Sequence, residues 1–325
     1  MKRILLTGST GFLGSALIRR FCFDGLFALR AAYRNEFRNC PDNIEAVRIG
    51  DLGPDTDWNN ATEKIDIVIH TAGRAHIPQA DTADRLNEYR KVNVDGSLSL
   101  ARQAAADGVK RFIYISTIKV NGESTLPDCP YTPDSTPAPI DPYGISKYEA
   151  EEGLLRLSRN TGMELTIIRP PLIYGPGVRA NFLQLLYAIA KGIPLPLNSI
   201  RNRRSMIALD NLVDLIVTCA DHPAAANQII LVSDGEDLST PDLIRRIARP
   251  MGRPVRLYPV PPSFLYAGAY LLGKRNVAQR LCGSLQVDIR KTRELMAWKP
   301  PISVDDGLAS VVHWFIDRKD LKSPS

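Results

Sequence analysis

Residues 5–14 read LLTGSTGFLG, an apolar run followed by glycines at every third position, Gly8, Gly11 and Gly14. At a turn between a strand and a helix, such glycines permit a tight bend, a close approach of the backbone to a pyrophosphate, and close packing of the helix on the strand. The N-terminus of that helix would face the phosphate charge. The stretch therefore predicts a dinucleotide-binding turn at the start of the chain.

Apolar runs alternate with helical patterns through the first 170 residues. Six runs have the continuous apolar character of strands buried on both faces, at 3–8, 26–34, 44–51, 66–73, 111–117 and 164–170. Helical patterns lie between several of them and end at glycines such as Gly108 and Gly162. This alternation predicts an α/β fold with a doubly wound parallel sheet, the Rossmann arrangement, over residues 1–170.

Beyond residue 171 the elements become shorter, and prolines gather at 170–176, 194–196 and 250–262. We expect a smaller, mixed substrate-binding domain over residues 171–325. A strand–helix–strand pattern at 203–233 is expected to return to the main sheet. The apolar run FLYAGAYLLG at 264–273 predicts a buried or surface-packed helix.

Composition excludes several classes of protein. The chain has 325 residues, 44% of them hydrophobic and 23% charged, with a net charge of +6 and a pI near 9.1. The basic residues look scattered and no nucleic-acid motif is present, so we expect no nucleic-acid partner. The five cysteines lack metal-ligand spacing, which favours reduced thiols, no bound metal and a cytoplasmic protein. No apolar run reaches the ~18 residues of a membrane span.

The end of the second strand selects the dinucleotide. An NAD site usually has an acidic residue there, which accepts hydrogen bonds from the adenosine ribose. Here Tyr33 and Arg34 take that place, and a guanidinium can bind a ribose phosphate. We therefore predict a preference for NADP(H), while Glu36, two residues further on, leaves NAD(H) open.

A tyrosine precedes a lysine by four residues at three places, where chance alone predicts fewer than one. The pairs are Tyr143/Lys147, Tyr187/Lys191 and Tyr270/Lys274. The second and third lie in apolar helices, where the rings are expected to pack and the lysines to lie at helix ends. The first pair follows a capping Asp141 and a Pro142 suited to the first helical position, which favours it as a catalytic pair.

Hydroxyl groups accompany that pair. Ser116 and Thr117 end the fifth strand, at the carboxyl edge where ligands bind in such sheets. A phenol exchanges protons at neutral pH only if its pKa is lowered, which a nearby ammonium or a positive nicotinamide would do. We predict Tyr143 as the proton donor, Lys147 as the group that tunes it, and Thr117 as a hydrogen-bond donor to the substrate oxygen.

These pieces resemble the extended short-chain dehydrogenase/reductases over nearly the whole chain. The matching stretches are TGSTGFLG (7–14), GDL (50–52), HTAG (70–73), VNVDGS (92–97), ST (116–117), YGISK (143–147), RPPLIYGPG (169–177) and RRSMIALDNL (203–212). The resemblance implies cofactor contacts for Gly8, Thr10, Gly11, Phe12, Leu13, Gly14, Arg34, Asp51, Leu52, Thr71, Ala72, Gly73, Asn93, Ser116, Tyr143, Lys147, Pro170 and Leu172. It implies substrate contacts for Thr117, Tyr143, Asn181, Arg204 and Arg280.

The resemblance is strongest to nucleotide-sugar enzymes of bacterial surface-polysaccharide synthesis, including O-antigen precursors. Sugar 4,6-dehydratases carry an Asp-Glu pair after the catalytic threonine, and Ile118 and Lys119 replace it here, so dehydration is not expected. Arg34 favours an NADP(H)-dependent reductase, and among reductases the chain most resembles those that act on UDP-2-acetamido-2,6-dideoxy-4-keto-hexoses. A UDP-sugar 4-epimerase with bound NAD is the alternative, and a dinucleotide-sensing regulator is a third reading.

Two further points follow from the resemblance. A homodimer is expected, although no motif encodes the oligomeric state. The family's usual VYG after the catalytic threonine is VNG here, and Asn121 leaves the details of the substrate pocket open.

Overall fold

The strands of the main sheet are all parallel. The computed structural model describes residues 1–37, 40–75, 82–126, 128–273 and 275–318. Its strands are β1 (Arg3–Thr7), β2 (Ala28–Tyr33), β3 (Glu45–Arg48), β4 (Ile67–His70), β5 (Arg111–Ile115), β6 (Glu164–Arg169), β7 (Leu172–Tyr174), β8 (Met206–Ala208) and β9 (Gln228–Leu231). Within this part of the chain, one sheet has the order β3-β2-β1-β4-β5-β6-β9, and β7 pairs with β8 separately.

Helices cover both faces of this sheet and continue beyond it. They are α1 (Phe12–Asp24), α2 (Asn59–Thr62), α3 (Thr82–Tyr89), α4 (Ser97–Ala106), α5 (Pro142–Thr161), α6 (Ala180–Ala190), α7 (Leu209–Asp221), α8 (Thr240–Ala248), α9 (Pro262–Leu271), α10 (Arg275–Cys282), α11 (Arg290–Met296) and α12 (Val304–Asp317). A π-helical segment, Arg90–Gly96, joins α3 to α4. No helix of the described chain has the length and apolar character needed to cross a membrane.

The predicted fold class is confirmed. Each of the six apolar runs forms one of the strands β1–β6, and the sheet is the doubly wound parallel arrangement. Its order reverses between β1 and β4, so the carboxyl ends of β1, β4, β5 and β6 meet along one edge where ligands bind in such folds. The predicted turn of residues 8–14 lies at this edge.

The returning segment divides between the two sheets. β9 extends the main sheet beside β6, whereas β8 pairs with β7. A separate hydrophobic cluster joins β7 and β8 to α6, α8 and α12, away from the two clusters that line the faces of the main sheet. The division into a dinucleotide domain and a substrate domain stays a prediction.

The helix predicted from FLYAGAYLLG forms as α9, but Tyr270 is more exposed than a packing ring is expected to be. Tyr270 is 57% exposed, and Leu271 beside it is 83% exposed. Lys274, the partner of Tyr270 in the sequence pattern, lies outside the described residues. By contrast, the Tyr187 ring packs edge-on against Phe315 with their centroids 4.9 Å apart, as expected for a packing group.

A buried ion pair ties α5 to the sheet. Arg169, the last residue of β6, binds the Glu151 carboxylate of α5 through Nε–Oε1 (3.0 Å) and Nη2–Oε2 (2.5 Å) contacts. The two side chains are only 3% and 1% exposed. Ser116 also donates to Glu151, and Arg169 donates through Nη1 to Asn121 at 3.0 Å. This one carboxylate therefore joins α5 to the ends of β5 and β6.

Replacing Arg169 with Met should destabilise the protein by about 3–5 kcal/mol, because it leaves a buried carboxylate without its countercharge. The double variant Arg169→Met/Glu151→Leu should recover most of the loss, since no charge then remains buried. Denaturant unfolding at neutral pH measures both. A single variant as stable as the wild type would contradict this role for the ion pair.

Candidate active site

The glycine turn leaves no room for a side chain at Gly8 or at Gly14. Gly8 has φ +70°, and a Cβ there would lie 2.7 Å from both the backbone nitrogen of Ala72 and the Thr71 Oγ1. A Cβ on Gly14 would overlap the Gly8 carbonyl oxygen. The Gly11 N–H donates to that same oxygen at 2.9 Å. The turn is thus closed around its own backbone, as a cradle for a pyrophosphate requires.

Neighbouring strands hold the turn in place. The buried Ser9 hydroxyl donates to the Ala32 carbonyl of β2 at 2.7 Å. The Thr71 hydroxyl donates to the Thr7 carbonyl at 2.7 Å, and the Ala72 N–H donates to the Thr7 Oγ1 at 3.3 Å. The structure therefore brings the predicted cofactor residues Thr71 and Ala72 against the glycine turn.

Not every predicted cofactor residue presents its side chain to this edge. Leu13 is buried in the core on one face of the sheet, and Phe12 packs against that core and against the C-terminal cluster. Leu52 packs close to Gly96 on the opposite face. Thr10 is exposed in the turn. Phe12 and Leu13 can therefore meet a phosphate only through their backbone at the start of α1.

Arg34 and Asp51 form an ion pair with each other. The Arg34 Nη1 lies 3.5 Å from the Asp51 Oδ1, and the side chains are 62% and 89% exposed. A pair this exposed contributes little to stability, so the guanidinium is available to another anion. The Asp51 carboxylate is also a hydrogen-bond acceptor, which Tyr33 and Arg34 at the end of β2 do not supply as an acidic residue would.

A chain of buried hydrogen bonds runs from β1 to the predicted catalytic helix. The His70 ring joins Thr7 (2.6 Å) to Ser97 (2.9 Å), and Ser97 donates to the Asn93 carbonyl at 2.7 Å. Burial and then the charge of Lys147 lower the pKa of His70 to about 3, so the ring is neutral at physiological pH.

Asn93 extends this chain to α5. Its side-chain nitrogen donates to the Ser146 hydroxyl at 3.0 Å, and Ser146 donates to the Tyr143 carbonyl at 2.8 Å. Its side-chain oxygen accepts from the Arg74 N–H at 2.8 Å, directly after Gly73. Asn93 therefore couples the loop after β4 to the first turn of α5. Its predicted contact with the cofactor stays a prediction.

The first turn of α5 forms as its sequence predicts. Asp141 accepts from the Gly144 N–H at 2.6 Å, and Pro142 occupies the first helical position. Lys147, one turn further on, is 3% exposed, and its Nζ lies 4.0 Å from the centroid of the Tyr114 ring. The Tyr143 ring lies 5.9 Å from that of Tyr89.

Burial works against the charged forms of both members of the predicted pair. It lowers the pKa of Lys147 to about 7, although the Glu151 carboxylate acts in the opposite direction. It raises the pKa of Tyr143 above its ordinary value, and the Asp141 carboxylate adds to the rise. The protein groups alone therefore keep Tyr143 protonated, and bound positive charge would be needed to lower its pKa.

The end of β5 presents Thr117 beside a short 3-10 helix, Ile118–Val120. Thr117 is 9% exposed and accepts from the Lys119 N–H at 3.3 Å. Ile118 is in the core, and Lys119 forms ion pairs with Asp141 and with Glu123 (3.1 Å). The two positions at which dehydratases carry their acid and base thus hold a core residue and a paired cation.

Asn121 is engaged in the interior. It is 1% exposed, accepts from Arg169, and its amide nitrogen lies 3.5 Å from the carbonyl oxygens of Thr132 and Ser135. It therefore holds the loop that follows β5, whereas the substrate pocket stays a prediction.

The remaining predicted contacts lie further along the chain. Pro170 is buried, and its carbonyl accepts from the Ile118 N–H at 3.0 Å, beside Thr117. Leu172 is 47% exposed at the start of β7. Asn181 is exposed in the first turn of α6.

Arg204 and Arg280 converge from distant parts of the sequence. The Arg204 Nη1 donates to the Gly283 carbonyl at 3.0 Å, directly after α10. Burial lowers the pKa of Arg204, the positive charge of Arg280 lowers it further, and Glu123 opposes both. Within the described chain neither guanidinium forms an ion pair with a carboxylate within 4.0 Å, which leaves the two cations able to bind an anion together.

Sequence reasoning missed Tyr114, Ser146 and Glu151, which surround the predicted pair. Glu151 could have been found from its spacing, since Tyr143, Lys147 and Glu151 recur every four residues on one face of α5. Tyr114 gave no such signal, because it looks like any other apolar residue of β5.

Comparison with known proteins identifies the family. The model of the NAD dependent epimerase/dehydratase family matches residues 4–233. This chain belongs to that family. The resemblance to extended short-chain dehydrogenase/reductases is thereby confirmed.

Its relatives include several sugar epimerases. A UDP-glucose 4-epimerase from Vibrio cholerae is 45% identical over 320 residues, which covers 98% of this chain and 97% of the relative. An N-acetyl-alpha-D-glucosaminyl-diphospho-ditrans,octacis-undecaprenol 4-epimerase from Escherichia coli O157:H7 is 26% identical, with coverage of 97% and 96%. A UDP-glucuronic acid 4-epimerase from Bacillus cereus, solved with NAD, shares the fold at a TM-score of 0.78 and 20% identity, over 98% of each chain.

The lowered pKa of Lys147 makes stability depend on pH. Between about pH 7 and pH 10.5, the ordinary pKa of a lysine, the unfolded chain binds more protons than the folded one. The free-energy cost of burying Lys147 therefore falls as the pH rises. Lys147→Met should therefore stabilise the nucleotide-free protein most at pH 7 and below, and progressively less towards pH 10. Denaturant unfolding across this range measures the difference, with the exposed Lys110→Met as the control. A Met variant whose advantage does not change with pH would show that Lys147 is not desolvated.

Proposed function

We propose that this protein is a UDP-sugar 4-epimerase that retains NAD. The observation that carries the proposal is that a half-buried tyrosine, a buried lysine and a pyrophosphate cradle share one edge of the sheet. At that edge Ile118 and Lys119 replace the acid and base of a dehydratase. The 45% identical UDP-glucose 4-epimerase supports the choice of reaction. The NAD-bound structural relative supports the choice of cofactor.

The residues fit a dinucleotide. Gly8, Gly11 and Gly14 have no side chain that would keep a pyrophosphate away from the backbone of the turn. The turn lies at the N-terminus of α1. A bound nicotinamide would take a hydride from the sugar and return it. Asp51, which pairs with Arg34, would lie beside the adenosine, and Gly73 leaves room beside Lys147.

The chain's own residues would move the proton. Tyr143 takes the proton of the sugar 4-hydroxyl as carbon four is oxidised, and it returns that proton after the hydride adds to the other face. Thr117 positions the same oxygen by a hydrogen bond. The positive charge of the oxidised nicotinamide would offset the burial that raises the pKa of Tyr143, and Lys147 would add to this effect when it is protonated. The cationic pair Arg204/Arg280 would hold the diphosphate.

A 4-keto reductase is the second candidate, and Arg34 favours it. A reductase releases its oxidised cofactor at every turnover and commonly uses NADPH, whose 2′-phosphate a guanidinium can bind. The cytoplasmic location, the homodimer and a role in O-antigen or other surface-polysaccharide synthesis stay predictions.

Assays with and without added cofactor distinguish the two reactions. We expect the purified protein to convert UDP-glucose or UDP-N-acetylglucosamine to its 4-epimer with no net consumption of NAD(H), as followed by NMR of the sugar. Stoichiometric oxidation of NADPH by a UDP-4-keto sugar, without conversion of either UDP-hexose, would assign the reductase instead.

The role of Arg34 can be measured directly. Arg34→Asp should weaken NADPH binding at least about tenfold more than NADH binding, because a charge-assisted contact to the phosphate becomes a repulsion. Arg19→Asp, at an exposed position of α1, is the matched control for the change in charge. Equal losses of affinity for NADPH and NADH would show that Arg34 does not bind the ribose phosphate.

The diphosphate site predicts how UDP stabilises the protein. UDP should raise the melting temperature of the NAD-loaded protein by mass action, and Arg204→Ala should remove most of that shift while the effect of NAD persists. Arg203→Ala is the control, because Arg203 is exposed and pairs with Asp128 at 2.8 Å. A full UDP shift in the Arg204 variant would exclude this arginine from the site.

A further inference from the structure

Helix α9 turns an apolar surface towards the outside. Phe264 is 69% exposed, Leu271 is 83% exposed and Leu272, directly after the helix, is 73% exposed. Tyr266 and Tyr270 lie on the same side and are 43% and 57% exposed. We call these five residues the α9 face. No charged residue occurs from 257 to 273, so this surface lacks the polar side expected of a surface helix.

The opposite side of the helix is anchored. Leu265 packs against the C-terminal hydrophobic cluster, and Leu281 and Cys282 of α10 pack against the same cluster. This packing fixes the orientation of α9, and the α9 face therefore points to the outside of the protein. Exposed apolar groups that lie together in this way mark interaction surfaces.

The chain around α9 carries the protein's excess charge. Residues 249–287 contain no Asp or Glu and six basic residues, Arg249, Arg253, Arg256, Lys274, Arg275 and Arg280. The rest of the chain has 35 basic and 35 acidic residues, so the net charge of +6 belongs to this segment. The basic residues that look scattered in the whole sequence are thus unbalanced in one place.

We propose that the α9 face docks on an anionic lipid bilayer, with the exposed Arg249, Arg253 and Arg256 at the headgroups. An apolar helix side with aromatic residues and flanking basic residues is the composition of interfacial helices. At ten residues α9 is about 15 Å long, half the hydrocarbon thickness, so it lies in the surface instead of crossing it.

Charge favours a bilayer over a second copy of this chain. Two copies that met through the α9 face would bring together two segments that each carry six basic residues and no acidic one. An anionic bilayer instead supplies the opposite charge to the arginines and an apolar layer to Phe264 and Leu271. The inference does not depend on the proposed reaction, because it uses no catalytic residue.

Co-sedimentation with vesicles tests the proposal. The wild-type protein should sediment with vesicles of phosphatidylethanolamine and phosphatidylglycerol, and weakly with phosphatidylcholine alone. Phe264→Ser/Leu271→Ser/Leu272→Ser should lower binding at least about tenfold, because it removes the inserting side chains. Phe23→Ser/Leu26→Ser is the matched control, since those residues are 89% and 65% exposed elsewhere and should not matter.

A second variant tests the charge alone. Arg253→Gln/Arg256→Gln leaves the α9 face intact and should lower binding about fivefold for each arginine, with a weaker salt dependence. Wild-type protein that stays in solution with anionic vesicles overturns the proposal, as does a triple-serine variant that sediments normally. Conversion of a dimer to a monomer by that variant, with no vesicle binding by the wild type, would assign the face to a second copy.

Discussion

The buried Glu151 carboxylate fixes helix α5 to the sheet. It binds Arg169 at the end of β6 and accepts from Ser116 at the end of β5, so α5 cannot rotate or slide without leaving a charge unpaired in the interior. Lys147 lies one turn from Glu151 on the same helix face, and Tyr143 one turn beyond that. The position of the proposed reactive pair therefore depends on the contacts of Glu151 with Arg169 and Ser116, which lie in the interior of the protein.

A second line of hydrogen bonds reaches the same helix from the other side. It passes from Thr7 through His70, Ser97 and Asn93 to Ser146, and it ends at the Tyr143 carbonyl. The glycine turn and the first turn of α5 are thereby parts of one rigid unit. Burial of that unit favours a neutral Lys147 and a protonated Tyr143, so the proposed proton transfer would depend on positive charge brought by a bound cofactor.

Local rules explain what the sequence could predict. The turn of residues 8–14, the strands β1–β6 and the Asp141 cap depend on neighbours in the sequence, and all are present. The partner of Glu151, the role of Asn121 and the meeting of Arg204 with Arg280 depend on how distant segments pack, which no local pattern encodes. The exposure of α9 could not be predicted either, because an apolar helix has the same sequence signature whether it faces a core or the outside. The roles of the site residues stay predictions.

The central claim is that Tyr143, alone among the tyrosines that precede a lysine by four residues, transfers the proton. The most direct measurement is the turnover of Tyr143→Phe beside Tyr187→Phe, with cofactor binding and thermal unfolding recorded for both. We expect Tyr143→Phe to lose about 10²- to 10⁴-fold in turnover while it still folds and binds cofactor, and Tyr187→Phe to stay within a few-fold of the wild type. A Tyr143→Phe variant with wild-type turnover would contradict the account.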